Sequence, residues 1–212
     1  MAQKKKPDKD KVEKAQVFAR KLAEHLTERY KESYEVLPPL KETYNLWYIR
    51  SPSILAIREC SDHEGIVYIY SYDLFRLDYL FGDDDIDDPD DIVRFLEELK
   101  DRDNWDHLSK RVCPHVVAYL TWAENIAKKV SEEYKVEVEQ WFPSKEYPAL
   151  KRTALRAVID TRGISEEEKI KAIEERVPAV AKAWDLAADR TKWEPFVAEF
   201  VRKAKFGKTP NQ

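Results

Sequence analysis

The chain has 212 residues but only two cysteines, four glycines and one methionine, and it has no long apolar run. Cys60 and Cys113 alone make no disulfide framework, so a reducing cytoplasm is the expected compartment. Four glycines leave little room for a phosphate-cradling loop. Neither Gly-x-x-x-x-Gly-Lys-Ser/Thr nor Gly-x-Ser-x-Gly occurs. No apolar stretch approaches the roughly 20 residues that cross a bilayer. The lysine-rich start, Met1 to Pro7, lacks the apolar core of a signal peptide. These absences argue against nucleotide-dependent and acyl-transfer chemistry and against a membrane partner, and no motif calls for a cofactor.

What the chain does have is charge. Charged residues make up 37% of it, against about 25% in an average domain. Abundant Glu, Lys and Arg with few thermolabile residues is the usage expected of a hyperthermophile, where surface ion-pair networks are favoured. The net charge is −4, and it is unevenly spread. Residues 1–32 carry ten Lys/Arg and six Asp/Glu, residues 83–106 carry three and twelve, and residues 143–212 carry fifteen and eleven. Basic ends therefore flank an acidic middle.

Periodicity divides the chain. Residues 1–9 read as a disordered basic tail. Val12, Ala15, Phe18, Leu22 and Leu26 recur at spacings of three and four, which predicts a helix over about Asp10–Lys31. Thr43–Arg50, Ile54–Glu59 and Ile66–Tyr72 are β-branched and aromatic runs separated by turn residues, and they predict an antiparallel meander. Asp88-Pro89-Asp90-Asp91 starts a helix running to Lys100, and Pro114–Tyr134 is a long helix. Lys135–Phe142 alternates like a strand. Helices are then expected over Pro148–Asp160, Ser165–Arg176, Ala179–Ala188 and about Lys192–Lys205, with a Ser165/Glu168 capping box and Gly163 as a helix stop. The expected fold is α+β: an N-terminal helix packed on a small antiparallel sheet of three or four strands, then a mostly helical C-terminal half. Residues 10–110 would form the α+β domain, and residues 111–212 a helical region or second subdomain.

Strand side chains alternate between faces. One face would collect Val67, Ile69, Leu55 and Ile57 against the first helix. The other would carry Tyr44, Tyr48, Tyr68, Tyr70 and Tyr72 with Arg58. Trp47 belongs to either face, because a slip of one residue exchanges them. Such rings can stack bases without reading their sequence, at about 1–3 kcal/mol each. Arg50, Arg58 and the N-terminal lysines would supply phosphate contacts. The expected activity is non-enzymatic, sequence-independent binding of single-stranded DNA or RNA, with Tyr44, Trp47, Tyr48, Arg50, Arg58, Tyr68, Tyr70 and Tyr72 as its residues. Two other uses of the tyrosines stand beside it: packing under the C-terminal helices, and docking a protein partner, as in an accessory subunit or a viral or defence factor.

The lysine-rich tail, the long helix, the aromatic meander ending Ile66-Val67-Tyr68-Ile69-Tyr70-Ser71-Tyr72 and the helical C-terminal region resemble the ThermoDBP type of single-stranded-DNA-binding protein of hyperthermophilic archaea. The likeness is one of layout over roughly residues 10–110. It implies an ssDNA cleft of aromatic and basic residues and a homo-oligomer assembled through C-terminal helices. Where that family has a leucine-zipper-like C-terminal helix, this chain has Pro178 and Pro195.

Further candidates are less specific. Cys60, His63, Cys113 and His115 are zinc-ligand types, but they sit in different elements. The aspartates of residues 83–91 suit a divalent cation but lack the glycine of an EF-hand loop. Glu59 with Asp73 and Lys41 could be drawn as a metal-dependent nuclease site. Lys151, Arg152, Arg156 and Arg162 could track phosphates along one side of the expected helix.

Overall fold

The computed structural model describes residues 9–38, 45–52, 55–71, 75–76, 114–141 and 152–206. Residues 1–8 of the expected basic tail, Lys41, Tyr44, Tyr72, Asp73, the acidic run, the expected helix at 89–100, Cys113 and Lys151 lie outside the described residues, whereas Lys9, expected in the tail, begins the first helix.

Helix α1 (Lys9–Tyr30) buries Phe18, Ala19, Leu22, Ala23 and Leu26, the stripe its spacing predicts. It stops at Lys31, which adopts the left-handed φ of 58° and donates its N–H to the Thr27 carbonyl at 3.0 Å. Strands β1 (Glu35–Val36), β2 (Asn45–Arg50), β3 (Leu55–Cys60) and β4 (Ile66–Ser71) follow as antiparallel neighbours. After β5 (Phe75–Arg76) come helix α2 (Pro114–Tyr134), strands β6 (Glu139–Trp141) and β7 (Arg152–Asp160), and helices α3 (Glu166–Ala188) and α4 (Arg190–Phe206).

The sheet has seven strands, ordered β1-β2-β3-β4-β7-β5, with β6 also on β7. It is larger than the three or four strands expected. An extra interior strand is β7, in a stretch expected to be helical. There Leu155, Ala157 and Ile159 are buried while Val158 and Asp160 are exposed. On a helix, Leu155 and Ala157 would point about 200° apart, so only a strand can bury all three on one side. Arg156 pairs with Tyr70 of β4 and with Glu139 of β6, which places β4 and β6 on opposite edges of β7. Gly163, expected to stop a helix, instead follows this strand, with φ 77°.

Helices α1 and α3 cover one face of the sheet, and α2 packs on α3, α4 and β6. The covered face holds Trp47, Ile49, Leu55, Ile57, Val67, Ile69 and Leu155, all buried with the apolar sides of α1, α2 and α3. Fully burying one such side chain stabilises by about 1.5–3 kcal/mol, and this layer is the main core. The capping box starts α3: Ser165 Oγ accepts from the Glu168 N–H at 3.2 Å, and the Glu168 carboxylate accepts from the Ser165 N–H at 2.8 Å. The expected break after Pro178 does not occur. Helix α3 runs through Pro178 and α4 through Pro195, at the loss of one ladder hydrogen bond each. A second, smaller cluster of Ala118, Tyr119, Val197 and Val201 joins α2 to α4.

Candidate nucleic-acid interface

The described helices pack against one face of the sheet, and the alternation of the strands sends a different set of side chains to the other. Two rows cross it in register. Tyr48 of β2 faces Arg58 of β3, Arg58 faces Tyr68 of β4, and Tyr68 faces Val158 of β7. In the next row Arg50 faces Ala56, Ala56 faces Tyr70, Tyr70 faces Arg156, and Arg156 faces Glu139. Tyr48, Arg58, Tyr68, Tyr70, Arg156 and Trp141 are half-buried, and Val158 is 39% exposed.

The rings form a continuous shelf. Tyr68 and Tyr70 stack with centroids 5.8 Å apart and planes 24° apart, and Trp141 meets Tyr70 edge-on, also at 5.8 Å. Ring pairs at such separations contribute about 0.5–1.5 kcal/mol beyond their area. Arginines bracket the shelf. Arg58 lies 4.9 Å from the Tyr70 centroid and donates from Nη2 to the Tyr70 hydroxyl at 3.1 Å. Arg156 lies 5.9 Å from the Tyr68 centroid, while its Nε donates to Glu139 Oε1 at 2.6 Å. At the turn end, the Tyr68 hydroxyl meets His63 Nδ1 at 3.2 Å. Burial, with smaller contributions from Tyr70 and Cys60, pushes the Tyr68 phenol above its ordinary value, against a lowering by Arg156 and Arg58. The phenol therefore stays protonated and uncharged at neutral pH.

The structure sorts the expected site residues. Tyr48, Arg58, Tyr68 and Tyr70 come together, and Arg50 is exposed at the end of β2. Trp47 does not join them. A register shift between Asn45 and Trp47 sets its parity, and the indole is 1% exposed on the helix side. It is a core residue, edge-on to Phe18 at 5.5 Å. Tyr44 and Tyr72 lie outside the described residues. Arg156 belongs on the shelf because its segment is a strand, while Arg162 instead pairs with Asp160. Trp141 and Glu139 were missed as site residues; the alternating stretch that became β6 was their only signal.

Glu59 needs a different account from the nuclease ligand drawn for it. Its carboxylate is on the helix side and 6% exposed. Oε2 accepts from Lys169 Nζ at 2.6 Å and from Trp47 Nε1 at 2.8 Å, and Oε1 accepts from the Gly65 N–H at 2.8 Å. Burial pushes this carboxyl up, but the hydrogen bonds from Lys169, Gly65 and Trp47 outweigh it and the net shift is downward. The pair borders a cleft of about 640 Å³ whose carboxylates each have a cation: Glu59 with Lys169, Glu64 with Lys11, and Glu166 with Lys21. The arrangement ties β3, the β3–β4 turn and α3 together.

Compared with known proteins, the chain matches no family model, no curated protein and no solved structure, so a functional reading rests on this geometry.

Proposed function

We propose that the chain binds single-stranded DNA or RNA, without turnover, on the tyrosine–arginine face of its sheet. The observation that carries the reading is the stacked Tyr68–Tyr70 pair set between Arg58 and Arg156 on the face opposite the helices. Bases lie on aromatic rings whatever their identity, and guanidinium groups beside the rings meet the phosphates between bases. An exposed apolar Val158 next to Tyr68 extends the shelf at little desolvation cost. Self-association belongs to the same reading. Trp122, Trp193, Phe196 and Phe200 border the α2–α4 cluster only partly buried, a composition suited to an interface between copies.

Paired measurements on Tyr68→Ala and Tyr70→Ala test the proposal. Each variant is expected to weaken oligo-dT binding by about 1–3 kcal/mol, as loss of a stacking ring does. Melting should fall by only a few degrees, the loss of one or two ring contacts made by half-buried side chains. Variants that unfold early yet bind as tightly as wild type when folded would return the tyrosines to a purely structural role.

A further inference from the structure

Beyond charge and stacking, the shelf carries one feature that sequence-independent binding does not use: a carboxylate. Glu139 stands on β6 two residues from Trp141, so both project from the same face of the sheet. Its side chain is 43% exposed, and only Oε1 takes the bond from Arg156 Nε. The Arg156 side chain is 22% exposed, and the residue lies across the strand pair from Tyr70. A donor group and an acceptor group therefore sit side by side at the rim of the Tyr70–Trp141 ring pair.

For plain phosphate binding this placement is unfavourable, since a carboxylate repels the backbone and occupies an arginine. For base reading it is favourable. Bases of single strands are stacked on aromatic rings and hydrogen-bonded along their edges. Guanine alone offers two adjacent donors, N1–H and N2–H, beside an acceptor, O6. A carboxylate can take both donors while an arginine serves the acceptor. Cytosine and adenine each offer one exocyclic amine, and thymine or uracil would set two carbonyl oxygens against the carboxylate. Resting on the reading of the face as a single-strand platform, we infer that Glu139 and Arg156 form a guanine-selective position at its Trp141 end. The bound class is then single strands containing guanine, rather than any single strand equally.

The test is competition by unlabelled pentanucleotides against labelled oligo-dT on the wild-type protein. The strands carry dG, dI, dA, dC or dT at the centre of thymidines. Expected is dG about fivefold or more ahead of dA and dT, the lower end of what a bidentate base contact gives. Inosine, which lacks only the N2 amine, should fall between dG and dA. In Glu139→Gln the dG-to-dA ratio should collapse towards one while oligo-dT still binds, because the amide puts an NH2 donor where the carboxylate had its second acceptor oxygen. Equal competition by dG and dA, equal competition by dG and dI, or a preference that survives Glu139→Gln would overturn the inference and leave the single-strand platform standing. No binding of any strand would remove both. The inosine comparison needs no variant, so it holds whatever the substitution does to folding.

Discussion

Replacing Lys169 by methionine removes one of two charges that hold the helix layer on the sheet. Lys169 is 17% exposed and Glu59 7% by side chain, and they meet at 2.6 Å. The ammonium also lies 4.7 Å from the Phe18 ring and 5.6 Å from the Trp47 ring. Without it, a buried carboxylate keeps only two neutral donors, the Trp47 indole and the Gly65 amide. Breaking a buried pair from one side costs about 3–5 kcal/mol, and the cation–π contacts add about 0.5–1 kcal/mol. Methionine's apolar contacts with Phe18 offset part of this, so a net loss of about 3 kcal/mol at pH 7 is expected. For a chain of this size that lowers Tm by about 6–12 °C.

The loss should depend on pH, with a definite sign. In the wild type the Glu59 carboxyl titrates below its unfolded value, so its contribution is present above about pH 4.3 and disappears as pH falls through the folded value. In Lys169→Met the raising effect of burial faces fewer opposing bonds, and protonation relieves the stranded charge. The stability gap between variant and wild type should therefore narrow from pH 7 to pH 4. The double variant Glu59→Gln/Lys169→Met, with no charge to strand, should regain at least half the loss at pH 7. Urea denaturation followed by circular dichroism across that pH range reads all three. A single-variant loss below about 1 kcal/mol, or a gap unchanged with pH, would refute the account of this pair as a buried staple.

Trp47→Ala should behave as a core truncation, costing about 3–5 kcal/mol of stability. Intrinsic oligonucleotide affinity of its folded fraction should be unchanged, as read by denaturation and titration side by side. Gly65→Ala should destabilise by about 1–2 kcal/mol, because φ is 78° there. A Cβ would also stand 2.4 Å from Arg162 Cγ, although that flexible side chain can move; thermal melting checks this. Trp193→Ala should shift light-scattering mass towards monomer if copies meet through α2 and α4.

Local patterns made much of this fold readable from sequence. The α1 stripe, the bounds of α2, the Ser165 capping box and the two-face alternation of β2, β3 and β4 all depend on neighbours within a few residues. The alternation alone separated Val67 and Ile69 from Tyr68 and Tyr70. Segment 152–160 was misread because Ala, Leu and Arg favour helix in isolation, while its strand state comes from pairing with residues as distant as Ile66. That error hid Arg156 from the shelf. Trp47 could not be placed because the irregularity at Asn45 and Trp47 resets the parity on which alternation depends. Pro178 suggested a break, yet packing of the flanking turns carries the helix through it, as α4 is carried through Pro195.

The most direct test of the central claim is a fluorescence-anisotropy titration of labelled oligo-dT of about 20 nucleotides, at 50 and 200 mM salt, with a duplex of equal length as control. If Arg50 and Arg58 meet two phosphates, a slope of about −0.7 per contact weakens single-strand binding about 7-fold between those salts. The account predicts saturable binding with that salt dependence and much weaker binding of the duplex. Absence of binding at micromolar protein, or equal binding of duplex and single strand, would contradict it.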